Sequence, residues 1–123
     1  MKTFKALIIA IASLLVFQST NAQSDKYERT IGIKTQTIKV SGTCSMDKQR
    51  IEKASYSVDG VKLAVWNEHT QILILKYSVF NKYASDNVQK KIAFAGNDTE
   101  KYRADDVVYQ KLPDCCHYQR IKY

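Results

Sequence analysis

Hydrophobic and polar positions alternate along parts of the chain, and a period of two is typical of strands with one buried face. Residues 33–41 are rich in Thr, Ile and Val, and the even positions from 36 to 40 share one face. Residues 61–66 alternate in the same way, and residues 71–77 are strongly apolar. The polar segment between them has hairpin length, so the pattern predicts one strand followed by a β-hairpin.

Two further stretches have the period of an α-helix. In residues 46–58 the apolar positions are spaced i, i+3, i+4 and i+7, and Ser45 is a suitable cap before them. Residues 85–95 carry a second apolar stripe, and Gly96 is a typical residue just after a helix end. The sequence therefore predicts one helix after the first strand and another after the hairpin.

The last part of the chain completes the predicted fold. Residues 98–103 have room for a short final strand, and residues 105–112 resemble a short helix that Pro113 ends. The order βαββαβ with right-handed crossovers predicts an α+β, ferredoxin-like sandwich. We expect an antiparallel four-stranded sheet with two helices on one face, followed by a short C-terminal helix.

The N-terminal residues have the layout of a secretory signal peptide. Lys2 and Lys5 precede an apolar run at residues 6–17, which is shorter than the roughly 20 residues that a membrane span needs. A polar segment of small residues follows and predicts cleavage after Ala22. The alternative is an N-terminal membrane anchor, but no basic stop-transfer flank follows the apolar run.

This layout divides the chain into four parts. We expect a signal peptide at 1–22, a flexible N-terminal segment at 23–32, a folded domain at 33–104 and a helical tail at 105–123. The protein would be exported, either to a periplasm or out of the cell, and its mature form would not be embedded in a membrane.

Composition and charge exclude several classes of protein. A chain of 123 residues and 14.1 kDa is one domain at most, and 45% hydrophobic residues is too many for a disordered chain. The net charge of +7 falls to +5 after loss of residues 1–22, which leaves 17 basic against 12 acidic side chains. Because no basic-aromatic motif occurs, we expect no nucleic-acid partner. No catalytic constellation is recognisable either, so the prediction is a binding protein and not an enzyme.

Three cysteines carry the candidate chemistry. Cys44 lies in the segment GTCSMD between the first strand and the first helix, and this segment resembles the metal-binding loop of the heavy-metal-associated domain family. Residues 58–61 and 92–96 resemble the same family, so the resemblance covers about residues 33–103. The tail segment 112–118, which contains two adjacent cysteines, is similar to tails of some exported bacterial members.

The resemblance implies a ferredoxin-like fold and a metal-binding function. A member of this family would bind a soft or borderline ion, Cu(I) first and Zn(II) second, and would buffer it or pass it on by thiolate exchange. A metal-transporting membrane protein or another metallochaperone would be the partner. However, the family loop has a second cysteine where this chain has Asp47, so the usual two-thiolate site is incomplete.

The tail can supply the missing ligands. A helix N-terminus makes the thiolate of Cys44 more available. A strand of four residues spans roughly 13 Å, and a helix of eight residues roughly 12 Å, so the tail is long enough to return to the loop. The hypothesis is a metal site of Cys44, Cys115, Cys116 and His117, or of a smaller subset.

Other interpretations of these residues stay open. A disulfide between Cys44 and a tail cysteine would give a metal-free interaction module, and the adjacent tail cysteines would suit a thiol-redox protein. Met46 is expected to pack in the core beneath the loop, and His69 to lie exposed in the hairpin turn. Asp47 fits a carboxylate at a helix start better than a hard ligand for Zn(II).

Overall fold

The computed structural model describes residues 32–123, so the predicted signal peptide lies outside the described residues. The elements in chain order are β1 (Ile33–Lys39), α1 (Ser45–Tyr56), β2 (Val61–Asn67), β3 (Ile72–Ser78), α2 (Ala84–Ala95), α3 (Asp106–Gln110) and a 3-10 turn (Asp114–Cys116). These bounds lie close to the predicted ones. Within residues 32–123 no helix is both long and apolar enough to span a bilayer.

The strands form an antiparallel sheet in the order β1-β3-β2. β3 is the central strand, and its pairing with β1 runs from Ile33 opposite Ser78 to Lys39 opposite Ile72. β2 and β3 form the predicted hairpin, in which Gln71 closes the turn with a positive φ of 57°. The α+β class and the antiparallel sheet are therefore as predicted.

The predicted fourth strand is wrong for the described part of the chain, whose sheet has three strands. Beside β1 the chain makes one isolated bridge, between Val40 and Thr99. It then turns back, because the Thr99 N–H donates to the Tyr102 carbonyl over 2.8 Å and the Tyr102 N–H donates to the Thr99 hydroxyl over 3.0 Å. This local turn uses the backbone groups that a longer strand would have needed.

One face of the sheet packs against both α1 and α2, as predicted. The core is a single cluster of strand and helix side chains: Ile38, Val40, Ala64, Trp66, Leu73, Leu75, Tyr77, Ile51, Val58, Ala84, Val88 and Ile92. Trp66 is its largest member, and its indole N–H donates to the Val40 carbonyl over 3.0 Å. Val65 and Ile74 lie on the opposite face, where they are 42% and 43% exposed.

Candidate metal centre

The loop between β1 and α1 lies close against the sheet. A Cβ atom at Gly42 would be only 2.7 Å from the Trp66 ring, so a glycine is needed for this close approach. The Gln71 side-chain amide donates to the Gly42 carbonyl over 3.1 Å and holds the loop from the other side. Cys44, and not Ser45 as the sequence predicted, is the cap residue of α1, with an extended backbone at φ −145°.

Asp47 organises this helix start from a fully buried position. Its Oδ2 accepts a hydrogen bond over 2.8 Å from the N–H of Thr43, the residue before the cap. Its Oδ1 accepts from Arg50 over 2.6 Å and from the Asn97 amide over 2.9 Å. Both oxygens are thus engaged by the protein, which fits the helix-start role and not that of a metal ligand.

Contacts at the cysteine pair and after it hold the tail in place. At the first cysteine of the pair, the Thr43 hydroxyl donates to the Cys115 carbonyl. After the pair, the buried Tyr118 hydroxyl donates to the Gly96 carbonyl over 2.6 Å and accepts from the Asp98 N–H over 2.9 Å. The tail cysteines are therefore fixed beside the loop of Cys44.

An ion pair reinforces this docking. Arg120 donates to Asp98 over 2.8 and 3.1 Å, and its guanidinium lies 4.6 Å from the centre of the Tyr109 ring. The Asp98 carboxylate is fully buried and also accepts from the Ala104 N–H over 2.8 Å. Burial by itself raises the pKa of Asp98, but the bonds from Arg120 and Ala104 outweigh it and lower that pKa.

The docked tail brings three sulfur atoms together. The Cys44 Sγ lies 3.1 Å from the Cys116 Sγ and 3.6 Å from the Cys115 Sγ, and the two tail sulfurs are 3.8 Å apart. All three cysteines are free thiols; Cys116 is buried, Cys44 partly exposed and Cys115 exposed. The cysteine at one end of the cluster, Cys116, is therefore buried, and another, Cys115, is open to solvent.

The surroundings make Cys44 the most acidic thiol of the three. Burial raises its pKa, but hydrogen bonds from the Cys116 thiol and from the Asp47 N–H group lower it by more. Burial and then the bond to Cys44 raise the pKa of Cys116 to about 12, and the bond to Cys44 also raises the pKa of Cys115. The two tail thiols thus favour the thiolate form of Cys44 by donating to its sulfur.

The sulfur spacing suits coordination by three ligands. At a metal–sulfur bond of about 2.3 Å, tetrahedral coordination places sulfurs about 3.8 Å apart, whereas a linear pair is separated by about 4.6 Å. The two tail sulfurs, 3.8 Å apart, match the first arrangement, and the Cys44 Sγ lies closer still to both of them, at 3.1 and 3.6 Å. Three thiolates are a donor set for Cu(I) and Zn(II).

Two other candidate residues lie outside this group. The exposed His117 ring packs against Tyr109 with ring centres 5.2 Å apart, and His117 is not part of the cluster of ligand atoms that lie within 4.8 Å of one another. Met46 is 41% exposed, so the prediction that it packs in the core is wrong. His69 is exposed in the hairpin turn, as predicted.

Sequence reasoning missed Arg50 and Asn97. One Arg50 nitrogen lies 3.7 Å from the Cys116 Sγ, and the other donates to Asp47 and, over 3.2 Å, to the Asn97 Oδ1. The i, i+3 spacing of Asp47 and Arg50 is a signal that could have indicated this ion pair. Asn97 is 50 residues from Asp47, and no local pattern brings the two together.

Comparisons with solved structures find two that resemble part of this chain. No protein-family model and no curated protein matches the chain. A solved CopZ metallochaperone is similar at 25% identity and a TM-score of 0.50, over 54% of this chain and 98% of that one. Oxidized MerP from Ralstonia metallidurans CH34 is 26% identical over 55% of this chain and 96% of that one, with a TM-score of 0.46. The likeness to the metallochaperone supports a fold of the heavy-metal-associated type for about half of the chain.

Proposed function

We propose that this protein binds a soft or borderline metal ion, Cu(I) by preference and Zn(II) second, and buffers it or passes it on. Cys44, Cys115 and Cys116 would be the ligands. The observation that carries the proposal is the group of three sulfur atoms within 4.8 Å of one another, two of them delivered by the tail. The likeness to a CopZ metallochaperone supports it independently.

Ligand exchange is the mechanism that this geometry favours. Within residues 32–123 the cluster has three ligand atoms, and a tetrahedral ion bound by them would have a fourth position free. Cys115 is exposed, so an incoming thiolate can approach on its side and bind before a protein thiolate leaves. Cys116 is buried and would hold the ion during that exchange.

Export and a protein partner are part of the same proposal. The charged, apolar and small-residue segments of residues 1–22 support a signal peptide. In an exported location the recipient would be a metal-transporting membrane protein or another metallochaperone. Fractionation of cells that express the chain, with sizing of the mature form, would test this part of the proposal separately.

An anaerobic titration tests the metal site. The reduced protein is titrated with Cu(I) against a competing chelator, and then with Zn(II) against a second chelator. We expect tight binding of one ion, with at least a tenfold loss of affinity in each of Cys44→Ser, Cys115→Ser and Cys116→Ser. His117→Ala is the matched control, and its affinity should stay unchanged. Unchanged affinity in all three serine variants would refute the proposed ligand set.

A second candidate function is supported by the shortest sulfur separation. At 3.1 Å, the Cys44 and Cys116 sulfurs are placed to form a disulfide when an oxidant removes two electrons and both thiol protons leave. The protein would then be a thiol-redox protein, or a metal-free interaction module with a structural disulfide. Thiol counting on freshly isolated protein discriminates between the candidates, because three free thiols per chain contradict a resting disulfide.

A further inference from the structure

The Arg50 side chain joins the helix start to the cysteine cluster. It lies one turn after Asp47 on α1, and its side chain is 20% exposed. One end of the guanidinium is held by the Asp47 carboxylate at 2.6 Å and by the side-chain oxygen Oδ1 of Asn97 at 3.2 Å, and the other end lies 3.7 Å from the Cys116 Sγ. The guanidinium is therefore anchored on one side and aimed at sulfur on the other.

From this arrangement we propose that Arg50 is a positioning and specificity-determining residue, whose charge favours Cu(I) over Zn(II) as the bound ion. The inference rests on the proposed function. Three thiolates with Cu(I) carry a net charge of −2, whereas three thiolates with Zn(II) carry −1. A fixed cation beside the sulfurs therefore stabilises the Cu(I) form more strongly. Lys48, another cation of α1, is engaged instead with Glu52 and the Trp66 carbonyl.

Asp47 acts on the same cluster with the opposite sign. Its Oδ2 lies 3.7 Å from the Cys44 Sγ, so its negative charge opposes that of the thiolates. The two members of the ion pair thus provide an internal comparison. Loss of the cation should weaken the preference for Cu(I), and loss of the anion should strengthen it. A purely structural role would weaken binding of both ions in either variant.

The size of the effect follows from the short distance. A unit charge a few Å from the cluster in a partly solvated site changes an equilibrium constant by roughly tenfold to hundredfold for each unit of charge on the cluster. The two metal forms differ by one such unit. The ratio of Cu(I) to Zn(II) affinity should therefore change by about tenfold or more when Arg50 loses its charge.

The experiment compares affinity ratios in reduced, full-length protein. Competitive titrations with Cu(I) and with Zn(II) are made on the wild type, Arg50→Gln, Arg50→Lys and Asp47→Asn. We expect the ratio to fall about tenfold in Arg50→Gln, to fall less in Arg50→Lys, which keeps the charge but has a single nitrogen, and to rise in Asp47→Asn. Lys53→Gln is the matched control, because Lys53 is an exposed cation one turn further along α1, and its ratio should not change.

The outcomes separate this inference from the proposed function. If the wild type binds both ions and the ratio stays constant in Arg50→Gln and Asp47→Asn, the role of Arg50 is refuted and the metal site stands. If the wild type binds neither ion, the proposed function fails and this inference fails with it. If Arg50→Gln does not fold, as judged by circular dichroism, the ratio in Asp47→Asn decides the question: a rise supports the inference and an unchanged ratio refutes it.

Discussion

Replacing Tyr118 by phenylalanine should loosen the tail without changing its shape. The substitution removes one buried oxygen atom, which donates to the Gly96 carbonyl over 2.6 Å and accepts from the Asp98 N–H over 2.9 Å. Because the ring fits as before, the effect reports these two hydrogen bonds. Burial, and then the Asp98 charge, raise the pKa of Tyr118, so the hydroxyl stays protonated at neutral pH and the effect should not vary there.

The magnitude follows from the two groups left without a partner. A buried backbone group that loses its hydrogen bond costs about 1–3 kcal/mol, so the loss of two in Tyr118→Phe should lower the free energy of unfolding by about 2–6 kcal/mol. In a domain of this size the melting temperature would fall by at least about 8 °C. Urea denaturation of the reduced, metal-free protein measures this loss. Tyr83→Phe is the control, since Tyr83 is 71% exposed and its replacement should change stability little.

Thiol labelling reports where the loosening occurs. Cys116 is buried behind the tail, so its alkylation requires that the tail open. If Tyr118 holds the tail closed, labelling of Cys116 should accelerate roughly 30-fold or more in Tyr118→Phe. Exposed Cys115 serves as the internal reference. A stability loss below about 0.5 kcal/mol, or unchanged labelling of Cys116, would refute the reasoning.

Three further predictions concern the loop and the tail. Gly42→Ala should lower the free energy of unfolding by about 1–3 kcal/mol in urea denaturation, because the new methyl group would lie 2.7 Å from the Trp66 ring; an unchanged midpoint would contradict this. The pKa of Asp98 is lowered in the folded protein. The charged carboxylate therefore stabilises the fold above the ordinary carboxyl pKa, and this stabilisation is lost as the pH falls through the folded pKa. Asp98→Asn should therefore cost about 3 kcal/mol at pH 7 and progressively less as the pH falls below the ordinary carboxyl pKa, and a constant difference across this range would count against the ion pair. Asp47→Cys would restore the second loop cysteine of the family that the loop resembles, so it should return Cu(I) binding to a variant in which both tail cysteines are serine; no recovery in the chelator titration would argue against a loop site.

The strands and helices could be predicted from the sequence, because burial of one face of an element gives its apolar residues a regular spacing. The strand and helix positions were close for this reason, and Gly96 ends α2 with the expected positive φ of 119°. The fourth strand was wrong because Thr99 and Tyr102 satisfy each other in a tight turn. Competition between a turn and a strand edge depends on side chains that a pattern of apolar positions does not weigh.

The candidate site could also be predicted only in part. Chain lengths alone indicated that the tail could reach the loop, and they placed the adjacent cysteines in range of Cys44. They could not distinguish the cysteines from His117, because the direction of each side chain depends on how Tyr118 is anchored and on the stacking of His117 against Tyr109. These contacts join residues that are far apart in sequence or that belong to an irregular segment. In neither case does the sequence carry a periodic pattern that would indicate the contact.

On the proposed function, Asp47 has a thermodynamic consequence, because it stands where the family that the loop resembles has a second cysteine. In a two-cysteine loop both ligands belong to one helix start, and binding of an ion requires little of the rest of the chain. Here two of the three sulfurs come from a tail that is held by Tyr118 and by the pair of Asp98 and Arg120. Metal affinity and tail docking are then linked. An ion that binds only when the tail is docked stabilises the docked tail, and docking raises the affinity for the ion by the same free energy. A partner that displaces the tail would lower the affinity for the ion and thereby promote its release.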